Sequence, residues 1–311
     1  RRFARSDYRP TWLYWAARAH ELLGESALAE ARYTLAVMDY QNTYYGRLAL
    51  SRLGGRAPER HLVVDTPKGA MPPNEDVIRA LLALELYDQA IDELRYAQHI
   101  WGDSSPIQAT LAWVYWQQGQ SESGGQRFTL YRNAINTMRR AYPQFLAAGG
   151  ERLPKDLQTV IFPVAYWDLI RKYANERGLD PYLVAALVMQ ESTFVADIQS
   201  PARAVGLMQL GAATAQRYAK TLNMKYSSRL ATNPEANVRM GTAYLADKIK
   251  EFGEIHLALA SYNAGERPVH RWMAERPGLA REEFVEDIPY AETQNYVKKV
   301  LGMAEDYRRI Y

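Results

Sequence analysis

Apolar residues recur three and four positions apart along most of the chain, the spacing that puts them on one face of an α-helix. Over 11–38, Trp12, Trp15, Ala16, Ala19, Leu22 and Leu23 keep this spacing, Gly24 interrupts it, and Ala27, Ala31 and Leu35 resume it. The pattern predicts a helical hairpin. A related pattern returns where Ala83, Leu84 and Leu86 lead into Ala90, Ile91 and Leu94, so that Leu23 to Ala27 lines up with Leu86 to Ala90. A third pair, 107–117 and 128–138, flanks the polar stretch 118–125. The first half therefore reads as stacked helix pairs with an irregular repeat.

Two Gly- and Pro-rich stretches punctuate this half, Gly54-Gly55-Arg56-Ala57-Pro58 and the segment 65–73 with Pro67, Gly69, Pro72 and Pro73. Asn74-Glu75-Asp76 follows as a helix start. The break from Pro143 to Pro154, with Gly149-Gly150 inside it, is the predicted domain boundary. Beyond it the helix signals sharpen. Asp180-Pro181 places a capping carboxylate before a Pro at the first helical position and opens a helix over 182–194; Asn233-Pro234 repeats the device and opens one to about Phe252. Residues 255–262 form another, closed near Gly265, and the last runs over about 291–307 with Tyr296, Val297, Val300, Leu301 and Ala304 on one face. No run alternates as a strand would. The prediction is an all-α protein.

Composition adds exclusions. The 311 residues are enough for about two domains. With 48% hydrophobic and 23% charged residues the chain is expected to fold as an ordinary globular protein, and no apolar run approaches a membrane span. It has no Cys, so thiolate nucleophiles, Cys-based zinc sites and iron–sulfur clusters are ruled out. The five His are scattered at 20, 61, 99, 256 and 270, and no phosphate-cradling Gly loop, nucleophile elbow or His-Glu-x-x-His appears; no metal and no cofactor are expected. The net charge of +3 specifies no partner, and no nucleic acid is expected. Arg1 in place of an initiator Met is read as the start of a processed product or a fragment.

The candidate chemistry centres on Glu191. On a helix it shares a face with Val184, Leu187 and Val188, so an ionisable carboxyl sits on the stripe that should meet the core. Burial without compensation raises a carboxyl pKa, and an acid still protonated near neutral pH is what cleavage of a glycosidic bond asks of its general acid. On this helix alone, a Glu turned to solvent or paired with Arg is an equal alternative.

The neighbouring segments tip the balance. Glu191-Ser192-x-Phe194 is followed by Ser200-Pro201, Gly206-Leu207-Met208-Gln209, Asn237-x-x-x-Gly241-x-x-Tyr244-Leu245 and Ser261-Tyr262-Asn263-Ala264-Gly265. Phe284-Val285-Glu286-x-Ile288-Pro289-Tyr290-x-Glu292-Thr293-x-x-Tyr296-Val297 completes the set. In this order and at these separations it resembles the catalytic domain of soluble lytic transglycosylases, bacterial murein-cleaving enzymes with a lysozyme-like fold. The first half resembles the same family's superhelix of α-hairpins and its linker domain. The resemblance implies the end of a superhelix over 1–55, a helical linker domain over 56–153 and a lysozyme-like, goose-type catalytic domain over 154–311. It also implies that N-terminal helices of the family are missing from this chain.

Carried over residue by residue, the resemblance makes Glu191 the catalytic acid/base. It would protonate the oxygen between N-acetylmuramic acid and N-acetylglucosamine, then take the proton of the muramic C6 hydroxyl as that oxygen attacks C1, leaving a 1,6-anhydro end. Ser200, Met208, Gln209, Tyr262, Asn263 and Glu292 match positions that line the groove or orient acid and sugar. Tyr262 is expected nearest Glu191, and Tyr262 and Tyr290 are expected to offer aromatic faces to sugar rings. Met208 and Phe194 read more readily as core residues than as groove residues. One departure stands out: the family's apolar residue and Met-Pro after Gly-Leu-Met-Gln are replaced by Leu210-Gly211-Ala212, which removes a groove side chain. The implied partners are peptidoglycan glycan strands and, through the hairpins, other cell-wall enzymes; the chain is expected to be a periplasmic monomer, with an outer-membrane anchor as an option. A hydrolase of the same fold, with Asp197, Asp287 or Glu292 activating water, and a non-catalytic murein-binding scaffold are the alternatives.

Overall fold

The computed structural model describes residues 8–56 and 71–311. Among them every extended regular element is a helix, and the only strand-like pairing is two isolated bridges, Gln199 with Val205 and Val205 with Leu210. None of these helices is long and apolar enough to cross a membrane. Residues 65–70 of the predicted Gly- and Pro-rich stretch 65–73, and Ala57-Pro58 of the one before it, lie outside the described residues. The chain divides into two compact units, residues 1–118 with 133–161, and residues 119–132 with 162–311. The predicted break from Pro143 to Pro154 folds as two short 3-10 turns within the first unit, and the chain passes to the second between Ile161 and Phe162.

In the first unit, α1 (Arg9–Leu22) and α2 (Ser26–Tyr40) form the predicted hairpin, joined at Gly24, and α3 (Tyr44–Arg52) packs on both. Their apolar faces meet around Tyr14, Ala17, Tyr33, Ala36, Val37, Tyr45 and Ala49, all buried. Next come α4 (Glu75–Ala83), α5 (Tyr87–Trp101), α6 (Ser105–Ser121) and α7 (Gly124–Ala141), of which residues 119–132 group with the second unit. Ile78, Ile91, Leu94, Ile107, Leu111 and Val114 make a separate core among α4, α5 and α6. The buried stripe of the first hairpin is not the predicted one: Trp12, Leu22, Leu23 and Leu35 are exposed, as are Leu84 and Leu86 ahead of α5, whereas Ala90, Ile91 and Leu94 are buried as expected, because a helix buries the face its neighbours cover. Helix α8 (Lys155–Ile161) ends this unit.

The second unit is built on α10. The helices here are α9 (Trp167–Glu176), α10 (Pro181–Ser192), α11 (Ala212–Thr221), α12 (Ser228–Thr232), α13 (Pro234–Phe252), α14 (Ile255–Ala264), α15 (Glu266–Glu275), α16 (Arg281–Glu286) and α17 (Ala291–Ile310). Both predicted starts are real caps: Asp180 accepts from the Tyr182 amide at 3.0 Å and Asn233 from that of Ala236 at 3.0 Å. Seven consecutive residues of α10, Leu183 to Met189, are buried. A helix apolar all round belongs inside a domain; α10 lies along α17 and against α9, and α14 packs on α13, α15 and α17.

Candidate active site

Glu191 stands in the last turn of α10, and the chain turns away directly behind it. Thr193 (φ 51°) and Phe194 (φ 61°) both occupy the left-handed region, where a side chain costs roughly 1–2 kcal/mol per residue. The Thr193 amide returns to the Met189 carbonyl at 3.1 Å and ends the helix, while Phe194 is buried beside Tyr307. Such strain persists only where the surroundings impose it. Here it leaves the Glu191 carboxyl at the open end of a dry helix.

The Tyr296 hydroxyl of α17 donates to Glu191 Oε1 at 2.6 Å. Burial pushes the Glu191 pKa from 4.5 up to about 7; the Tyr296 hydrogen bond pulls it down and the charge of Glu292 pushes it up further. Near neutral pH the group is thus divided between acid and carboxylate, and can give a proton and take one back. Burial and the Glu191 charge hold the phenols of Tyr262 and Tyr296 well above their ordinary range, so both remain protonated donors.

Beside the acid runs the segment 198–210, whose shape is set by side chains of three helices. Ser192 Oγ of α10 donates to the Leu207 carbonyl at 2.8 Å. Asn237 of α13 is fully buried: its Oδ1 accepts from the Met208 amide at 2.8 Å, and its Nδ2 donates to the Val205 and Ala231 carbonyls at 3.1 and 2.7 Å. Tyr262 of α14 donates to the Met208 carbonyl at 2.8 Å. Gly206 permits the approach of Asn237: its φ is +82°, and a Cβ there would lie 2.6 Å from Asn237 Cγ. Gly241 does the same for Met208, whose Cβ a side chain at 241 would meet at 2.7 Å.

These contacts redistribute the roles expected from sequence. The phenol that touches Glu191 is Tyr296; Tyr262, half-buried and 4.9 Å from the Tyr244 ring, spends its hydroxyl on the loop. Met208, expected among the groove residues, has no exposed surface, because Gly241 lets it sink against α13; its side chain is core and its backbone is the part the site uses. Gln209 turns inward, donating to the Ile198 and Gly206 carbonyls at 3.2 and 2.9 Å. Ser200 Oγ accepts from the Ala204 amide at 3.1 Å. Asn263 Oδ1 accepts from the Thr293 hydroxyl at 2.6 Å. Tyr290 is exposed at the start of α17 with its ring edge against Trp272, and Glu292 is exposed in the first turn of that helix. At Gly211 a Cβ would meet nothing within 4 Å, so the departure from the family pattern leaves open space.

Of the carboxylates considered for activating water, Asp197 accepts from the Gly124 amide at 2.9 Å and Asp287 is paired with Arg276. Only Glu292 makes itself felt at Glu191. Among the described residues no group of three His, Asp or Glu could hold a metal ion. Two concavities lie elsewhere: one of about 380 Å³ in the first unit, lined by Leu82, Trp113, Met138 and Leu157, and one of about 260 Å³ lined by His256, Arg276 and Phe284. Ser192, Asn237, Thr293 and Tyr296 lie in the motif segments read from sequence but had no role assigned there; the usable signal was a hydroxyl or amide recurring on an otherwise apolar helix face.

Residues 168–285 match the family described as Transglycosylase SLT domain. The soluble lytic murein transglycosylase of Escherichia coli (strain K12) is 30% identical over 301 residues, covering 96% of this chain and 43% of that protein. The solved structure of an inactive mutant of the lytic transglycosylase Slt from Pseudomonas aeruginosa aligns with a TM-score of 0.71 at 25% identity, over 99% of this chain and 47% of its own. The 70-kDa soluble lytic transglycosylase from Escherichia coli aligns with a TM-score of 0.68 at 26% identity, over 96% and 46%. This chain spans less than half the length of these relatives. Residues 168–285, which carry the acid and the loop packed beside it, match the transglycosylase SLT domain family, in a chain similar to soluble lytic transglycosylases along nearly its whole length.

Proposed function

We propose that this chain cleaves the β-1,4 bond between N-acetylmuramic acid and N-acetylglucosamine in peptidoglycan without water, with residues 154–311 performing the chemistry. The observation that carries the reading is a single carboxyl, Glu191, whose pKa burial brings to about 7 and whose position a phenol fixes at 2.6 Å. In its acid form it protonates the glycosidic oxygen as the bond to C1 breaks. The resulting carboxylate then accepts the proton of the muramic C6 hydroxyl while that oxygen bonds to C1. The carboxyl is regenerated, the product ends in a 1,6-anhydro ring, and one residue serves where most glycoside hydrolases need two.

Hydrolysis would need a second carboxylate to activate water; Asp197 is engaged with an amide and Asp287 with Arg276, which leaves Glu292, whose charge reaches Glu191, as the candidate that the product masses test. The substrate places the protein at the cell wall, in the periplasm, acting as a monomer on glycan strands and meeting other cell-wall enzymes through its hairpins. Purified sacculi incubated with wild type and with Glu191→Gln test the reading. Release of products lighter by one water than hydrolytic ones, falling on the order of 10²–10⁴-fold in the variant, is expected. Undiminished release by Glu191→Gln would overturn it, and heavier products would favour the hydrolase.

A further inference from the structure

Among the described residues Lys248 is the one lysine that is buried, with 2% of its side chain exposed. Its ammonium donates to Glu251 at 2.6 Å and to Glu266, and it lies 5.5 Å from the centroid of the Tyr244 ring and 5.9 Å from that of Phe252. Burial works against the charge, but the two carboxylates hold its pKa above the ordinary 10.5, so it stays an ammonium. Lys172 makes the same kinds of contact, with the Tyr173 ring and Glu235, while exposed. An unbranched apolar side chain would fill the place of Lys248 without the cost of taking a charge out of water. Stability alone gives no reason to keep a cation here.

Its place on α13 points to another use. Asn237, Gly241, Tyr244 and Lys248 follow one another at spacings of four, three and four, and so share one face of that helix. Asn237 holds the Met208 amide, and Gly241 makes room for the Met208 side chain. The Met208 carbonyl is held from α14, by the Tyr262 hydroxyl at 2.8 Å, and the Tyr262 ring leans on that of Tyr244 with centroids 4.9 Å apart. Lys248 completes the face. Its charge is drawn to the Tyr244 ring, and its partner Glu266 opens α15 directly after Gly265, the residue that ends α14. One cation thus braces both the ring on which Tyr262 rests and the turn where its helix stops.

We propose that Lys248 is a positioning residue, which through Tyr244 and Tyr262 fixes the Met208 carbonyl and with it the wall beside Glu191. Resting on the glycan-cleaving reading above, this adds a source of the wall's placement that lies outside the site itself. Proton transfer needs the reacting bond set accurately against the acid, so a wall that shifts costs turnover more than binding. Lys248→Met keeps an unbranched chain of similar length and removes the cation.

The test compares wild type, Lys248→Met, Lys248→Met/Glu266→Gln and the surface control Lys172→Met by murein release, thermal unfolding and amide hydrogen exchange. The double variant also removes the carboxylate that Lys248→Met leaves without its cation, while Glu251 keeps His270 at 3.0 Å. Both Lys248 variants should show kcat about tenfold lower with KM within about twofold, since a misplacement of about 1 Å can cost about 10²-fold. Their Met208 amide should exchange about tenfold faster, while the amides of α10 and the Tm of the double variant stay at wild type. Lys172→Met should change neither kcat nor exchange. With Tyr262→Phe already in place, Lys248→Met should lower kcat no further, because the hydroxyl it positions is gone. An unchanged kcat, an unchanged Met208 exchange, exchange that rises equally in α10, or a full further loss beside Tyr262→Phe would each overturn the proposal. Should wild type release nothing from murein, the cleavage reading fails by itself, and Met208 exchange then decides the role of Lys248.

Discussion

Replacing Glu191 with Gln should make the protein more stable in alkali while it removes activity. The folded chain holds this carboxyl at a pKa of about 7, against an ordinary 4.5, mainly because burial disfavours the charge. Below pH 4.5 the group is neutral folded or unfolded, and the stability that accompanies the raised pKa is fully present. As pH rises through 7 the folded chain must ionise it in a dry place, and that stability is lost. Each pH unit between 4.5 and 7 is worth about 1.4 kcal/mol, so the whole loss is about 3 kcal/mol. Gln is neutral throughout and keeps an oxygen for the Tyr296 hydroxyl. Calorimetric unfolding of both proteins at pH 4.5, 7 and 9 should find them within about 1 kcal/mol at the lowest pH. The variant should be ahead by about 3 kcal/mol at the highest. Parallel pH dependences would mean that Glu191 is not held neutral by its surroundings, and the case for it as a proton donor at neutral pH would fall.

Tyr296→Phe removes the one hydrogen bond that pulls the Glu191 pKa down; a bond to a charged group is worth roughly 1.5–3 kcal/mol, so the alkaline limb of the pH–rate profile for murein release should move upward by about one to two pH units. His256 is buried with Nδ1 unsatisfied, and burial followed by the charge of Arg281 lowers its pKa from 6.5 to about 4. Its stabilising contribution is therefore present above pH 6.5 and lost as pH falls through 4, and His256→Leu should remove about 3 kcal/mol of acid sensitivity, read from unfolding at pH 7 and pH 4. Murein release should be indifferent to a chelator, since the proton transfers assigned to Glu191 need no Lewis acid; loss restored by one divalent ion would refute the mechanism.

The parts that sequence made legible are those governed by near neighbours. The hairpin across Gly24, the Asp180-Pro181 and Asn233-Pro234 starts, and the misplaced Glu191 all follow from spacing within one or two turns. What escaped depends on chain returning from afar. Tyr262 and Tyr296 both lie in motif segments, and only the packing of α17 on α10, 105 residues apart at the contact, decides which phenol meets the acid. Asn237 reads as a polar gap in a helical stripe, yet it is fully buried because three backbone groups from two other segments satisfy it. Residues 119–132 group with a unit whose main part starts at 162, an association no compositional boundary marks.

The segment 205–210 has no regular secondary structure, yet its amides and carbonyls are held by Ser192, Asn237 and Tyr262 from three separate helices. Irregular segments beside active sites often serve as lids, because they are the least costly part of a fold to open. This one could lift only by stripping partners from side chains on α10, α13 and α14 together. Its amide hydrogens should therefore exchange with solvent as slowly as those of the core helices, and a strand arriving at Glu191 meets a finished wall. On the proposed function, engagement of a strand then requires no movement of this segment before proton transfer.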